Sequence, residues 1–233
     1  MSAIRGARER ARTEVTAAIK DEARKQLAAE GAAKLSLRAV ARELGMVSSA
    51  LYRYFPSRDE LLTALIVDAY DAVGEAAERA HRTAAGTPGT TGTARWVAVA
   101  LAVRAWALAH PHEYALIYGS PVPGYTAPQD TVGPAARVGM VLIAVVEDAY
   151  RDEDRELPPL PDELRPEAER IAADVAPGLA PEVAAPLVAA WSQLFGLVSF
   201  EVFGQFHKVV EAREVFFRRA VTELARTVGL TTR

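Results

Sequence analysis

The chain contains no cysteine. That excludes disulfides, thiolate metal sites and cysteine nucleophiles, and it fits the cytoplasm, the expected location. The opening residues, MSAIRGARERAR, lack the apolar stretch of a secretory signal. The expectation is that no apolar run approaches eighteen residues, and so that no transmembrane helix and no membrane partner occur. Histidine is scarce, with only His81, His110, His112 and His207. There is no glycine-rich phosphate loop and no evident nucleophile–base pair, so the expected protein is not an enzyme and needs no cofactor. His110 and His112 flank Pro111, but no carboxylate or cysteine cluster joins them beyond Glu113, so no metal site is expected.

Half of the 233 residues are hydrophobic and 24% are charged, a globular composition whose length allows one larger domain or two smaller ones. The net charge of −3 is unevenly placed. Residues 1–62 hold 12 Lys/Arg against 8 Asp/Glu, for +4, and the remainder stands at −7. A field that attracts phosphates therefore sits at one end. Apolar residues recur at helical spacing through most of the chain, which predicts an all-α fold.

Ser36 to Phe55, SLRAVARELGMVSSALYRYF, has the spacing of a helix-turn-helix. Ala41 stands where a second helix must approach. Gly45, four residues on, suits a sharp turn through positive φ. Leu51, six further, faces back between the helices, and Val40, Leu44 and Met46 fill the angle. On spacing alone an ordinary helical hairpin is the alternative. Ser36 is a good N-cap for the first helix. The second exposes Ser48, Ser49, Tyr52 and Arg53, the small and hydrogen-bonding groups that a major-groove reader needs. Ser57 caps the next helix, with Asp59 and Glu60 in its first turn. Before the motif, Arg5, Arg8, Arg10 and Arg12 form either a solvated terminus or a basic arm for phosphate or minor-groove contacts.

Ile19 to Leu65 resembles the DNA-binding domain of the TetR family of bacterial transcriptional regulators. The residues that carry the likeness are Ile19, Ala23, Leu27, Gly31, Ser36, Leu37, Val40, Ala41, Gly45, Leu51, Tyr52, Phe55, Arg58, Leu61 and Leu62. Two positions depart from it. Val47 stands where the family has Ser or Thr capping the recognition helix, so the cap is expected to pass to Ser48. Tyr54 replaces the usual His. The resemblance implies a homodimer on a near-palindromic double-stranded operator. Ser36, Arg38, Tyr54 and Arg58 are then candidates for positioning on phosphates, Arg38 also reaching a guanine edge. Ser48, Ser49, Ala50 and Tyr52 are candidates for reading bases, with Arg53 beside them. Residues 1–57 would form the DNA-binding domain and 58–233 a helical ligand-binding and dimerisation domain.

Further helices are expected at about 11–30, 58–82, 94–109, 131–150, 165–176, 181–206 and 211–228, with a short one around Tyr114–Tyr118. Gly/Thr-rich 83–93, Pro/Gly-rich 119–130 and acidic 151–163 read as connections. The helix from Pro181 is apolar on every side and must be covered on every side. Its small residues Ala185, Ala189, Ser192, Gly196 and Ser199 form a stripe that admits another helix. With Phe217, Val221 and Leu224 of the last helix, they are the candidate dimer interface. Trp106, Tyr114, Tyr118, Met140, Trp191 and Phe195 either line an apolar effector pocket or form core.

HPHEYALIYGSPVPGYTAP, then Trp191, Phe195-Gly196 and LVSFE, loosely resembles a TetR subclass with a Trp…His-Gly signature in the penultimate helix. Here Phe195 takes the histidine's place. The expected function is thus a repressor released by a small apolar effector; the alternative is a repressor with no small-molecule switch.

Overall fold

The computed structural model describes residues 2–152, 157 and 159–230, with the side chains of residues 2–5 and 152 outside the described set. The Arg5 side chain and part of the acidic connection at 151–163 therefore lie outside the described set. The order is α1 (Ser2–Glu30), α2 (Leu37–Glu43), α3 (Ser48–Leu51), α4 (Arg58–Ala85), α5 (Gly92–Ala109), α6 (Pro111–Tyr118), α7 (Val132–Asp152), α8 (Arg165–Val175), α9 (Pro181–Val202) and α10 (Arg213–Thr227). Single 3-10 turns lie at Ala32–Lys34, Gln129–Thr131 and Asp162–Leu164. No strand occurs among the described residues. The helices gather into two units, Met1–Tyr70 with His110–Val132, and Asp71–Ala109 with Gly133–Arg233. The division falls within α4.

The first unit is built on one stripe of α1. Ile19, Ala23 and Leu27 recur at four-residue spacing and are buried against Val40, Ala41, Leu51, Phe55, Leu61, Leu62 and Leu65. The Ser36 hydroxyl accepts from the Ala39 N–H at 3.4 Å and starts α2. Gly45, at φ 64°, turns the chain toward α3, and the Met46 N–H donates to the Ala41 carbonyl at 2.8 Å to hold the turn. Ser57 accepts from the Glu60 N–H at 3.1 Å and opens α4. At α3 the expected cap does not form. Val47 occupies the cap position with no side-chain bond to offer, and Ser48 is already helical. Leu116, Ile117, Val122 and Tyr125, from α6 and the Pro/Gly-rich segment after it, pack on this same core. The Tyr125 and Thr63 hydroxyls pair at 2.8 Å.

In the second unit, α9 packs against α5, α8 and α10. Trp96, Val99, Val103, Leu194, Val198, Phe217 and Val221 are buried there. A buried ion pair joins α5 to α9 in this core. Arg104 of α5 donates to both Glu201 carboxylate oxygens, at 2.6 and 2.7 Å, and its guanidinium lies 5.4 Å from the centre of the Phe217 ring. The connection expected at 83–93 is shorter than read. The Thr87 hydroxyl bonds back to the Thr83 carbonyl, and Thr91 accepts from the Ala94 N–H, so helix claims both ends.

The expectation about apolar runs needs correcting at α9. Val183 to Phe200 carries no charge, and Pro181–Val202 is long and apolar enough to cross a membrane by length and composition. In the structure its apolar character is used for packing, with Val183, Leu187, Leu194 and Val198 buried between helices.

Candidate nucleic-acid interface and ligand cavity

The helix-turn-helix holds its outer face by burying its inner one. Leu51 is buried completely, which pins α3, while Ser49, Tyr52 and Arg53 are exposed on it and beside it and Ser48 and Ala50 are half-buried. Arg38 is exposed on α2, next to the half-buried cap Ser36. This face offers hydroxyls, one methyl, a phenol and two guanidiniums, groups whose chemistry is complementary to phosphates and base edges. Tyr54 lies half-buried at the end of the turn after α3, with the Arg12 guanidinium 5.6 Å from its ring centre.

Arg58 behaves otherwise than expected. Its guanidinium donates to the carbonyls of Ala32 at 2.9 Å, Leu35 at 3.2 Å and Ala33 at 3.3 Å, and meets Asp59 at 3.4 Å. Those carbonyls lie in and just after the 3-10 turn that follows α1, and the Ala32 carbonyl also accepts from the Leu35 N–H at 3.3 Å. Arg58 ties that corner to α4. A neighbouring network does the same for α1 with Asp68 of α4 and Glu113 of α6. Lys20 and Arg24 each contact Asp68, at 2.8 and 2.7 Å, and Arg24 also reaches Glu113 at 3.1 Å.

The second unit contains a cavity of about 290 Å³ between α7, α8 and α9. Ala135, Ala136, Gly139, Met140, Leu142 and Ile143 line it from α7, Ile171 and Val175 from α8, and Ala184, Leu187, Val188 and Trp191 from α9, with Ala176 between the last two. Every lining side chain is apolar. Of the six aromatic and methionine candidates, the structure brings Met140 and Trp191 together here. Trp106 and Phe195 are buried in the same unit but outside this lining. Tyr114 and Tyr118 belong to the first unit, where Tyr118 stacks against Tyr114 and Tyr70 with ring centres 5.1 and 5.9 Å apart. Burial and the neighbouring tyrosines push the Tyr118 hydroxyl well above its ordinary pKa, so it stays protonated.

Comparison with known proteins bears on both units. Residues 19–65 match the family described as "Bacterial regulatory proteins, tetR family", and residues 96–224 match "Tetracyclin repressor-like, C-terminal domain". The HTH-type transcriptional regulator Rv1816 of Mycobacterium tuberculosis is 42% identical over 208 residues, 86% of each chain. The chain belongs to the TetR family. The HTH-type transcriptional regulator Mb1846 of Mycobacterium bovis matches to the same extent. The crystal structure of the regulatory protein SCO4313 superposes with a TM-score of 0.75 at 37% identity, covering 93% of this chain and 97% of that one. TetR-family membership makes this chain a DNA-binding transcriptional regulator and not an enzyme. Its family generally binds DNA as homodimers and carries small-molecule effector domains.

On a TetR regulator the surface of α9 is of interest for pairing. Ala189, Ser192 and Gly196 of the small-residue stripe are exposed, Ala185 and Ser199 are half-buried, and a Cβ added at Gly196 would meet nothing within 4 Å. Val188, Trp191, Phe200 and Phe203 flank the stripe and are exposed, as are Val215 and Phe216 of α10. Phe217, Val221 and Leu224 are not part of that surface. They are buried within the chain's own core and offer no face to a partner, because α10 turns this side onto α5 and α9. Sequence reasoning also missed most of the cavity lining. Its signal was present as small residues, Ala135, Ala136 and Gly139, on one stretch of α7. Likewise the isolated charges Arg104 and Glu201, each inside an apolar helix, signalled a buried pair.

Proposed function

We propose that this TetR-family regulator is a homodimeric repressor that a small apolar effector releases from its operator. The observation that carries the reading is the cavity between α7, α8 and α9, whose lining is wholly apolar. A neutral, mostly hydrocarbon ligand suits it, and an anion does not. In this reading residues 1–57 bind DNA and 58–233 bind ligand and form the dimer. Ser36, Arg38 and Tyr54 position the protein on phosphates, and Ser48, Ser49, Ala50, Tyr52 and Arg53 read base edges. The two reading helices enter successive major grooves of a near-palindromic site, about 34–36 Å apart or a multiple of that. The α9 stripe and the apolar groups beside it form the dimer contact. In this reading the C-terminal half follows the Trp…His-Gly pattern with Phe195 in place of the imidazole, and because Phe195 lies outside the cavity lining the effector's chemistry is set by the lining residues instead. The cytoplasm is its site of action.

Release follows from α7. This helix lines the cavity and also grips α4. Arg137 donates to Asp71 at 2.7 Å and to both Glu78 oxygens at 2.8 Å. A ligand that moves α7 pulls on α4, the helix that continues to Arg58 and the reading motif. A screen of apolar compounds by thermal shift tests the reading, because a ligand held only by the folded state raises the melting temperature. Absence of any such compound among a broad apolar set favours the repressor without a small-molecule switch.

A further inference from the structure

We infer that the N-terminal turns of α1, through Arg8 and Arg12, form a second DNA-contacting element beside the recognition helix. The inference rests on DNA binding through α3 and extends the contact beyond it. The family match begins at residue 19, yet α1 begins at Ser2 and runs unbroken to Glu30. Nearly five helical turns, about 4.7 at 3.6 residues per turn, thus precede the common domain.

The extension continues a face rather than starting a new one. Arg8, Arg12, Val15 and Ile19 stand at i, i+4, i+7 and i+11, which is one side of a helix. From Ile19 onward that side is the core of the first unit; at Val15 it is half-buried, and at Arg12 and Arg8 it is exposed. The stripe therefore changes from apolar to cationic where the protein core ends. The Arg12 contact with Tyr54 fixes its direction, since Tyr54 lies three residues past the last residue of α3. The cationic stripe thus leaves the domain alongside the reading helix. Arg8 lies one turn further out, about 6 Å along the axis at 1.5 Å per residue. An exposed guanidinium pair on this side of a DNA-binding unit is placed for the phosphates flanking the groove that α3 occupies.

The test uses the full-length protein and a mixed-sequence duplex of about 40 base pairs, where binding is governed by phosphate contacts. Affinity is followed by fluorescence anisotropy against salt for the parent, Arg8→Ala, Arg12→Ala and, as control, Arg170→Ala on α8. Each phosphate contact contributes about 0.9 to the log–log slope, so Arg8→Ala and Arg12→Ala should each flatten it by about 2 for a dimer. Arg8→Ala should melt with the parent, which separates a lost DNA contact from lost folding. Arg170→Ala should leave the slope unchanged. A parent slope that is steep and unaltered by Arg8→Ala overturns the inference while leaving α3 as the reader. A parent with no salt dependence overturns DNA binding by this unit and the inference with it.

Discussion

The guanidinium of Arg58 reaches three backbone carbonyls and one carboxylate, so its loss is felt first in folding. Arg58→Ala should destabilise the DNA-binding unit by about 1–3 kcal/mol, the usual consequence of removing charge-assisted bonds to carbonyls. The measurement is a urea melt; an unchanged midpoint would show that those carbonyls find water equally well. Tyr52, 40% exposed, should behave in the opposite way. Tyr52→Ala should leave the melt unchanged and alter which operator sequence is preferred. Phe195 offers a third contrast. It is 7% exposed, its ring is 5.9 Å from that of Trp191, and it does not line the cavity. Phe195→His would bury an imidazole among apolar groups and should lower stability by about 1–3 kcal/mol with the ligand profile retained. A stable variant with a changed profile would place Phe195 in contact with ligand.

Among the helices, the α4–α7 contact depends on one glycine. A Cβ at Gly74 would lie 2.7 Å from the Arg137 Cβ, so Gly74→Ala must displace α7 or the arginine. Overpacking of this kind costs about 1–3 kcal/mol. The ion pairs also set an acid limit. Hydrogen bonds from Arg137 hold the Glu78 carboxyl below its ordinary value of 4.5. A carboxylate with a lowered folded pKa stabilises the protein above 4.5, and that contribution disappears as pH falls from there through the folded value. Arg137→Gln should therefore remove part of the stability lost by the parent below pH 4.5, and the two melts should converge in stronger acid. Parallel curves at all pH values would show that the pairing contributes nothing. The helix-turn-helix was legible in the sequence because its determinants are local: Ala41, Gly45 and Leu51 act within fifteen residues of one another. The inward turn of Arg58 was not legible, since its carbonyl partners lie more than twenty residues away and depend on how the end of α1 meets α4. The same applies to the aromatic residues. Trp191 at the cavity and Phe195 in the core differ by one turn of α9, and only the packing of α7 and α8 tells them apart. The uncharged run in α9 is countable in the sequence, but its alanines, Pro186 and Gln193 dilute its apolar character.

At the scale of the whole molecule, the proposed function uses two surfaces for partners, the helix-turn-helix face for DNA and the α9 stripe for a second copy of the chain. Gly196→Leu places a large side chain where the single chain has open space, so the monomer fold should be unaffected and pairing disfavoured. Light scattering at low concentration should then show monomer; a fully dimeric variant would move the interface elsewhere. The switch is tested by one titration. A labelled operator duplex, selected from random sequences, is titrated with the protein in the absence and presence of an apolar compound that raises its melting temperature. Two chains should bind each duplex, and the compound should weaken that binding about 5- to 150-fold, the range of a coupling free energy of about 1–3 kcal/mol. Equal affinity with and without a compound that occupies the protein would contradict release by an apolar effector.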